Sequence, residues 1–437
     1  MGGRKSLILL VAMSVLLAAV LVGCGGSTTD TTAAPTETTA APAGSTETTA
    51  ASAPAGVIKI GSSVPLTGAL AKEGQLVKEG YEFWRDTVNG QGGIKVGNDM
   101  YTVELVLYDD KSDAPTAAKL TEKLITEDKV DFLLSPYSSG LTISTSATAE
   151  KYQKVNIAPL ANATKIYDRG LKYLFSILWP TSIDVSNLVE MLPANGIDVK
   201  KIAFVYPDDL FPAAGAEGAI EAAKQLNIPY VDIKYPKGLK DLSGVVAEIK
   251  KANADAVIST AFFEDAALIL RQMNEQGVKP PFVAFHDAVN LQPDFIDAVG
   301  SQLAEGVSGR SEFWPLEANK DDVFGSGVDF ANGIEAKYGH PHTYHQAAAA
   351  TAGVVLQKAI EAAGSLDNEK VREALLNLDI ETFNHPVKFG TMEYKGETLT
   401  NVNTKGKPLS VQVQNGELVV TYPDDVKTAD LLYPKPW

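Results

Sequence analysis

The chain reads as an α/β protein of two lobes with parallel-sheet cores. Two observations predict this. From residue 57 onward, short strand-like runs alternate with longer amphipathic segments, and strands separated by helices pair in parallel through βαβ units. The region carrying that pattern, 57–437, is longer than a single hydrophobic core usually serves, so two bodies are expected.

The chain opens with a leader. Arg4 and Lys5 precede an apolar run from Leu7 to Val22, which ends in Leu21-Val22-Gly23-Cys24. A basic start, an apolar stretch too short for the roughly 20 residues of a membrane span, and a small-residue end describe a secretion signal. Cys24 is the only cysteine. The four-residue ending resembles that of a bacterial lipoprotein signal peptide, which implies removal of 1–23 and lipidation of Cys24. Two or more acyl chains there make a stable anchor, so the mature protein is expected outside the cytoplasm, tied to the outer face of the cell membrane. With no second cysteine there is no disulfide, and the fold must stand on its core.

A tether follows. Residues 25–56 contain no aromatic residue and no Ile, Leu, Val or Met. Such a stretch cannot offset the entropy of ordering, so 24–56 reads as a flexible Thr/Ala/Pro-rich spacer. Net charge is −16. That surface repels phosphates, and no basic patch interleaved with aromatics occurs, which excludes nucleic acid as a partner.

In the folded body, strands are expected near 57–64, 101–108, 130–134, 201–206, 256–259 and 281–285. Helices are expected near 75–88, 116–127, 141–154, 213–226, 242–250 and 264–276. After Asp379 the runs shorten and are broken by Gly and Pro, so 409–413 and 417–422 read as closing hairpin strands. Open parallel sheets receive ligands beyond the C-terminal ends of their strands. The loops to inspect are therefore 65–68, 135–140, 159–162, 207–211, 261–264 and 286–290.

Ser135-Pro136-Tyr137-Ser138-Ser139-Gly140 is the richest of these. Ser138 or Ser139 can cap the following helix, and the same hydroxyl beside free helix-start amides can hold a carboxylate. Tyr137 would add an aromatic wall. In the loop holding Leu160, Ala161 and Asn162, the Asn162 side chain offers a donor and an acceptor, or a turn. Phe211, Phe262 and Phe263 either close over a ligand or complete the core. Asp287, after His286, either pairs with an ammonium group or caps a helix. His340, His342 and His345 invite a metal, but two precede the helix and no cysteine assists, so no metal and no cofactor is assigned. No nucleophile-and-base constellation specifies an enzyme; a hydrolase is the outlying alternative.

Taken in order, 57–68 (Val-Ile-Lys-Ile-Gly-Ser-Ser-Val-Pro-Leu-Thr-Gly), 88–94 (Val-Asn-Gly-Gln-Gly-Gly-Ile), 105–110 (Leu-Val-Leu-Tyr-Asp-Asp), 135–140 and 268–272 (Leu-Ile-Leu-Arg-Gln) resemble the substrate-binding proteins of branched-chain amino acid ABC transporters, the type I periplasmic binding fold. The resemblance implies two lobes joined by three crossovers, 57–179 with 313–385 and 180–312 with 386–437. It implies a small amino acid or related solute gripped between them, a permease as partner, and a monomer. Ser139, Leu160 and Asn162 match the carboxylate-binding positions, although Asn162 stands where threonine is usual. Phe211 and Phe263 stand where tyrosines are common. His286 or Asp287 falls at the acidic position for the ligand ammonium, and Glu73 at a position often aromatic. Ser112 and Ser138 stand where many relatives form a disulfide. A ligand-sensing receptor of the same fold without a permease is the second reading.

Overall fold

The computed structural model describes residues 54–437 except Gln292. The leader, Cys24 and the tether up to residue 53 lie outside the described residues. No helix among the described residues is long and apolar enough to cross a membrane.

Two sheets form the frame. The first has nine strands in the order Asp379–Ile380, Val387–Tyr394, Glu397–Asn403, Leu174–Ser176, Asn156–Ala158, Phe132–Leu134, Gly56–Val64, Asp99–Asp109 and Ile94–Val96. The second has seven, in the order Glu417–Tyr422, Leu409–Gln414, Ser308–Ser311, Phe282–Phe285, Ala256–Ser259, Ile202–Pro207 and Tyr230–Tyr235. Central pairings are parallel, as between Gly56–Val64 and Asp99–Asp109, and both sheets end in antiparallel hairpins. The protein is thus a bilobed α/β fold with mixed sheets, of the type I periplasmic binding kind.

The chain passes between the sheets three times: after Leu174–Ser176, after Ser308–Ser311 and after Glu397–Asn403. One expectation needs correction. The hairpin Val387–Asn403 extends the first sheet, whereas the sequence division at 385 put it with the second lobe. Its alternating burial closes one edge of the first sheet, and the return to the second sheet comes only at Leu409.

Each sheet is covered by helices whose apolar stripes supply the cores. In the first, Ala71–Gly90 lies along the alanine-rich helix Tyr344–Ala363, which is buried over most of its length. Small residues permit that approach. A Cβ on Gly353 would fall 2.2 Å from the Trp84 ring, so only glycine lets the indole lie flat on the helix. The same device recurs between crossing segments, where a Cβ on Gly406 would sit 1.9 Å from the buried Trp179 ring.

The expected loops fall at the C-terminal ends of the strands. That at 65–68 is tied down: Asp109 accepts from the amides of Leu66 and Thr67 at 3.0 and 3.1 Å and from the Thr67 hydroxyl at 2.7 Å.

Candidate functional site

The remaining loops converge between the two sheets. A small space there is lined from the first-sheet side by Tyr137, Ser138, Leu160, Asn162, Leu178 and Tyr344. From the second-sheet side it is lined by Phe211, Phe262, Asp287, Arg310 and Glu312. Its volume is only ≈ 10 Å³, about what one water requires. Side chains from the two sides already touch.

Asp287 is where they touch. Tyr344, opening the helix Tyr344–Ala363, donates its hydroxyl to Asp287 Oδ1 at 2.6 Å. The Tyr137 hydroxyl reaches Oδ2 at 3.5 Å. Burial pushes the Asp287 carboxyl up, but His286 and then Arg310 more than offset it, holding it well below the usual carboxylate range. Asp287 therefore stays ionised although 4% exposed.

Arg310 projects from the strand Ser308–Ser311 and is fully enclosed. Its Nε donates to His286 Nε2. Its Nη2 lies 3.3 Å from Asp184 Oδ2 and 3.9 Å from Asp287 Oδ1, and pairs with Glu312 Oε1. Its Nη1 is buried with no partner among the described residues. Asp184, in the first turn of Thr181–Ala194, also accepts from Asn162 Nδ2 at 3.0 Å and from Trp179 Nε1. Burial pushes both Asp184 and Glu312 up, Glu312 to about 7. Both stay raised although Asp184 is ringed by three N–H donors and Glu312 pairs with Arg310, contacts that favour the ionised forms.

The sequence candidates divide. Tyr137, Ser138, Leu160, Asn162, Phe211 and Asp287 line the space. Ser138 occupies the N-cap position of Ser139–Lys151 but makes no capping bond, leaving its hydroxyl at the cleft. Ser139 lies one step back, where its hydroxyl oxygen accepts from the Ala163 amide at 3.2 Å. Ala161 is buried and accepts the Tyr167 hydroxyl at 2.6 Å. Asn162 uses both amide hydrogens inside the protein, on Trp179 O at 3.0 Å and on Asp184. Phe262 rather than Phe263 reaches the space; Phe263 packs in the second core beneath Lys72 Nζ, 4.7 Å from its ring centroid. His286 stands behind the lining, against Arg310 and the Phe211 ring. Glu73 does not line the space either; burial pushes it up to about 7, opposed by its own backbone amide, with Asp287 adding a like charge.

Sequence reasoning missed Arg310, Glu312, Tyr344, Leu178 and Asp184. It searched the loops after strands, and these lie in a strand, on crossing segments or in first helical turns. Arg310 and Glu312 carried a signal: charges two apart in an extended run share one face, and this run is flanked by Val307 and Phe313.

The three histidines considered for a metal go separate ways. His340 contacts Glu79 at 3.1 Å, His342 packs edge-on to Phe313, and His345 lies between Tyr137 and Tyr344. Among the described residues no group of three or more His, Cys, Asp or Glu is placed to hold a metal. A second, larger cavity of ≈ 390 Å³ opens beside Lys165, Asp209 and Glu217, but these charges already pair with Asp168, Lys237 and Lys395.

Comparison with known proteins agrees with this architecture. Residues 57–400 match the family model described as periplasmic binding protein. The Leu/Ile/Val-binding protein homolog 8 of Brucella abortus is 29% identical over 395 residues, covering 86% of this chain and 93% of that protein. Two crystal structures share the fold at 21% identity. The leucine binding protein LivK of Thermotoga maritima has a TM-score of 0.71 and covers 84% of this chain and 99% of its own. The branched-chain amino acid transporter substrate binding protein LivJ of Streptococcus pneumoniae, in complex with isoleucine, has a TM-score of 0.70 and covers 86% and 100%. The fold is that of non-catalytic solute binders, and the chain, similar to the Leu/Ile/Val-binding protein homologs, belongs to the periplasmic binding protein family.

Proposed function

We propose that this protein is an extracytoplasmic lipoprotein, anchored through Cys24, that captures a small amino acid or related polar metabolite between its lobes and delivers it to an importer permease. The lobes of this reading are 57–179 with 313–403, and 180–312 with 404–437. The observation that carries it is the convergence of both sides on Asp287: hydroxyls from Tyr137 and Tyr344 meet an ionised carboxylate of the opposite lobe. A buried charge met by partners from both sides makes closure sensitive to what lies between them. Ser138, Leu160 and Asn162 stand at one end of the solute, Phe211, Phe262 and Asp287 at the other. The leucine- and isoleucine-associated relatives support the amino acid class, and the leader supports the anchor.

Titration calorimetry of the purified protein against a panel of amino acids, amines and amides tests capture. One-to-one binding, with a more compact scattering profile on saturation, is expected. A profile unchanged by every solute would refute capture. Intact-mass analysis of membrane-extracted protein checks the lipid on Cys24, and Cys24→Ala should release the protein into the medium or periplasm.

A further inference from the structure

Arg310 ends in a donor that nothing among the described residues receives. Its Nε is taken by His286 and its Nη2 by Asp184 and Glu312, but Nη1 is buried without a hydrogen-bond partner. A buried N–H left unmet is costly and rare. Arg310 is 1% exposed and lines the space between the two sides.

The grip on the guanidinium comes from one side. Asp184, His286, Asp287 and Glu312 all belong to 180–312. The first-sheet side contributes the Tyr344 ring, its centroid 5.6 Å from the guanidinium carbon. Parting the sides therefore leaves Nε and Nη2 anchored and Nη1 in place, a donor prepared in advance. Two side chains that the family resemblance assigns to a solute carboxylate are meanwhile committed elsewhere. Ser139 stays behind the lining with its oxygen on the Ala163 amide, and both Asn162 amide hydrogens go to Trp179 and Asp184. The charge of Arg310 is already met by ionised Asp287. Nη1 thus acts as a directed donor rather than an unpaired charge, and amide and carboxylate oxygens both suit it.

We propose, resting on the solute-capture reading above, that Arg310 is a solute-binding residue: its Nη1 donates to a carbonyl or carboxylate oxygen of the captured molecule, whose acceptor end is held from the second-sheet side.

Calorimetry with L-leucinamide, L-leucine and 3-methylbutylamine tests this. The amine is leucine without its carboxyl group, and at about pH 6 it carries the same charge as the amide. The tighter of the two oxygen-bearing solutes is expected to bind about tenfold or more tightly than the amine. Arg310→Lys should shrink that ratio by about threefold or more, because an ammonium cannot replace the fixed fork. A tighter amide marks a neutral carbonyl as the acceptor, a tighter acid a carboxylate. An amine that binds as tightly as both others overturns the proposal, as does a variant in which all three lose affinity equally, the mark of a purely structural arginine. If Arg310→Lys does not fold, the wild-type crystal complex with L-leucinamide or L-leucine decides. A solute oxygen within about 3.2 Å of Nη1 upholds the contact, and an ordered water alone there overturns it. Failure of all three to bind also overturns it, while binding of another panel member leaves solute capture standing.

Discussion

Arg310 Nε donates to His286 Nε2, and that contact fixes the state of the imidazole. A ring nitrogen that accepts carries no proton, so the His286 hydrogen sits on Nδ1, 3.1 Å from Asp287 Oδ1. Arginine, histidine and aspartate thus stand in a row, although the Nδ1 contact with Asp287 falls outside hydrogen-bond geometry. Arg310→Met would leave Asp184, Asp287 and Glu312 buried with no cation among them. Removing one partner of a buried ion cluster costs about 3–5 kcal/mol. Denaturant unfolding should show a loss of that order, with Arg310→Lys recovering only part because lysine cannot reach His286 and the acids together. A loss below about 1 kcal/mol with Met would refute this role.

Glu312 carries a pH signature. Its folded pKa is about 7 against an ordinary 4.5, raised by burial and opposed by Arg310. A carboxyl raised in this way favours the folded state below pH 4.5, and that contribution is lost as pH climbs to about 7. Glu312→Gln removes the titration. Relative to wild type it should gain stability between those limits, on the order of 3 kcal/mol in all, and stay level outside them. Unfolding free energies measured every half unit from pH 4 to 8, a spacing of about 0.7 kcal/mol per step at full slope, check the shape.

His345 should behave in the opposite sense. Neither ring nitrogen has a hydrogen-bond partner among the described residues, and burial lowers its pKa from 6.5 to about 4. The unfolded chain therefore takes up the proton first, and wild-type stability falls as pH drops from 6.5 toward 4. His345→Leu removes that loss. Its stability relative to wild type should rise steadily below pH 6.5, while a difference independent of pH would show the ring protonating freely in the folded state.

Exposed ion pairs at two lysines join the sides of the cleft. Lys72, on the first-sheet side, lies 2.8 Å from Asp294 on the second. Lys395, at the hairpin tip, lies 2.8 Å from Glu217. Surface pairs contribute about 0–1 kcal/mol and are screened by salt. Lys395→Glu should weaken solute binding by about fivefold at most, and the difference should fade near 0.5 M salt, where screening lengths fall to a few ångström. An effect of equal size at high salt would rule out this electrostatic latch.

How far the residues announced this structure follows from what each part depends on. The alternation of strand and helix is a local property, so the two-sheet α/β frame and the closing hairpin Leu409–Tyr422 were legible. Strand-end loops follow from the same frame, which is why Tyr137, Ser138, Asn162 and Asp287 were found. Arg310 was not, because its role depends on three acids brought to it from distant segments. Adjacent phenylalanines defeated the reading for a simpler reason. Whether Phe262 or Phe263 faces the cleft is set by where the helix Phe263–Glu275 begins, and a one-residue shift there turns the side chain by about 100°.

If the cleft captures a solute as proposed, the hydroxyls of Tyr137 and Tyr344 bear on the kinetics of loading. Asp287 is never bare in the closed form, so an arriving guest exchanges one partner for another instead of finding a vacant charge. Admission must wait for the tyrosines to let go, which ties the speed of uptake to how often the jaws part and leaves the guest's chemistry to decide how long they stay shut.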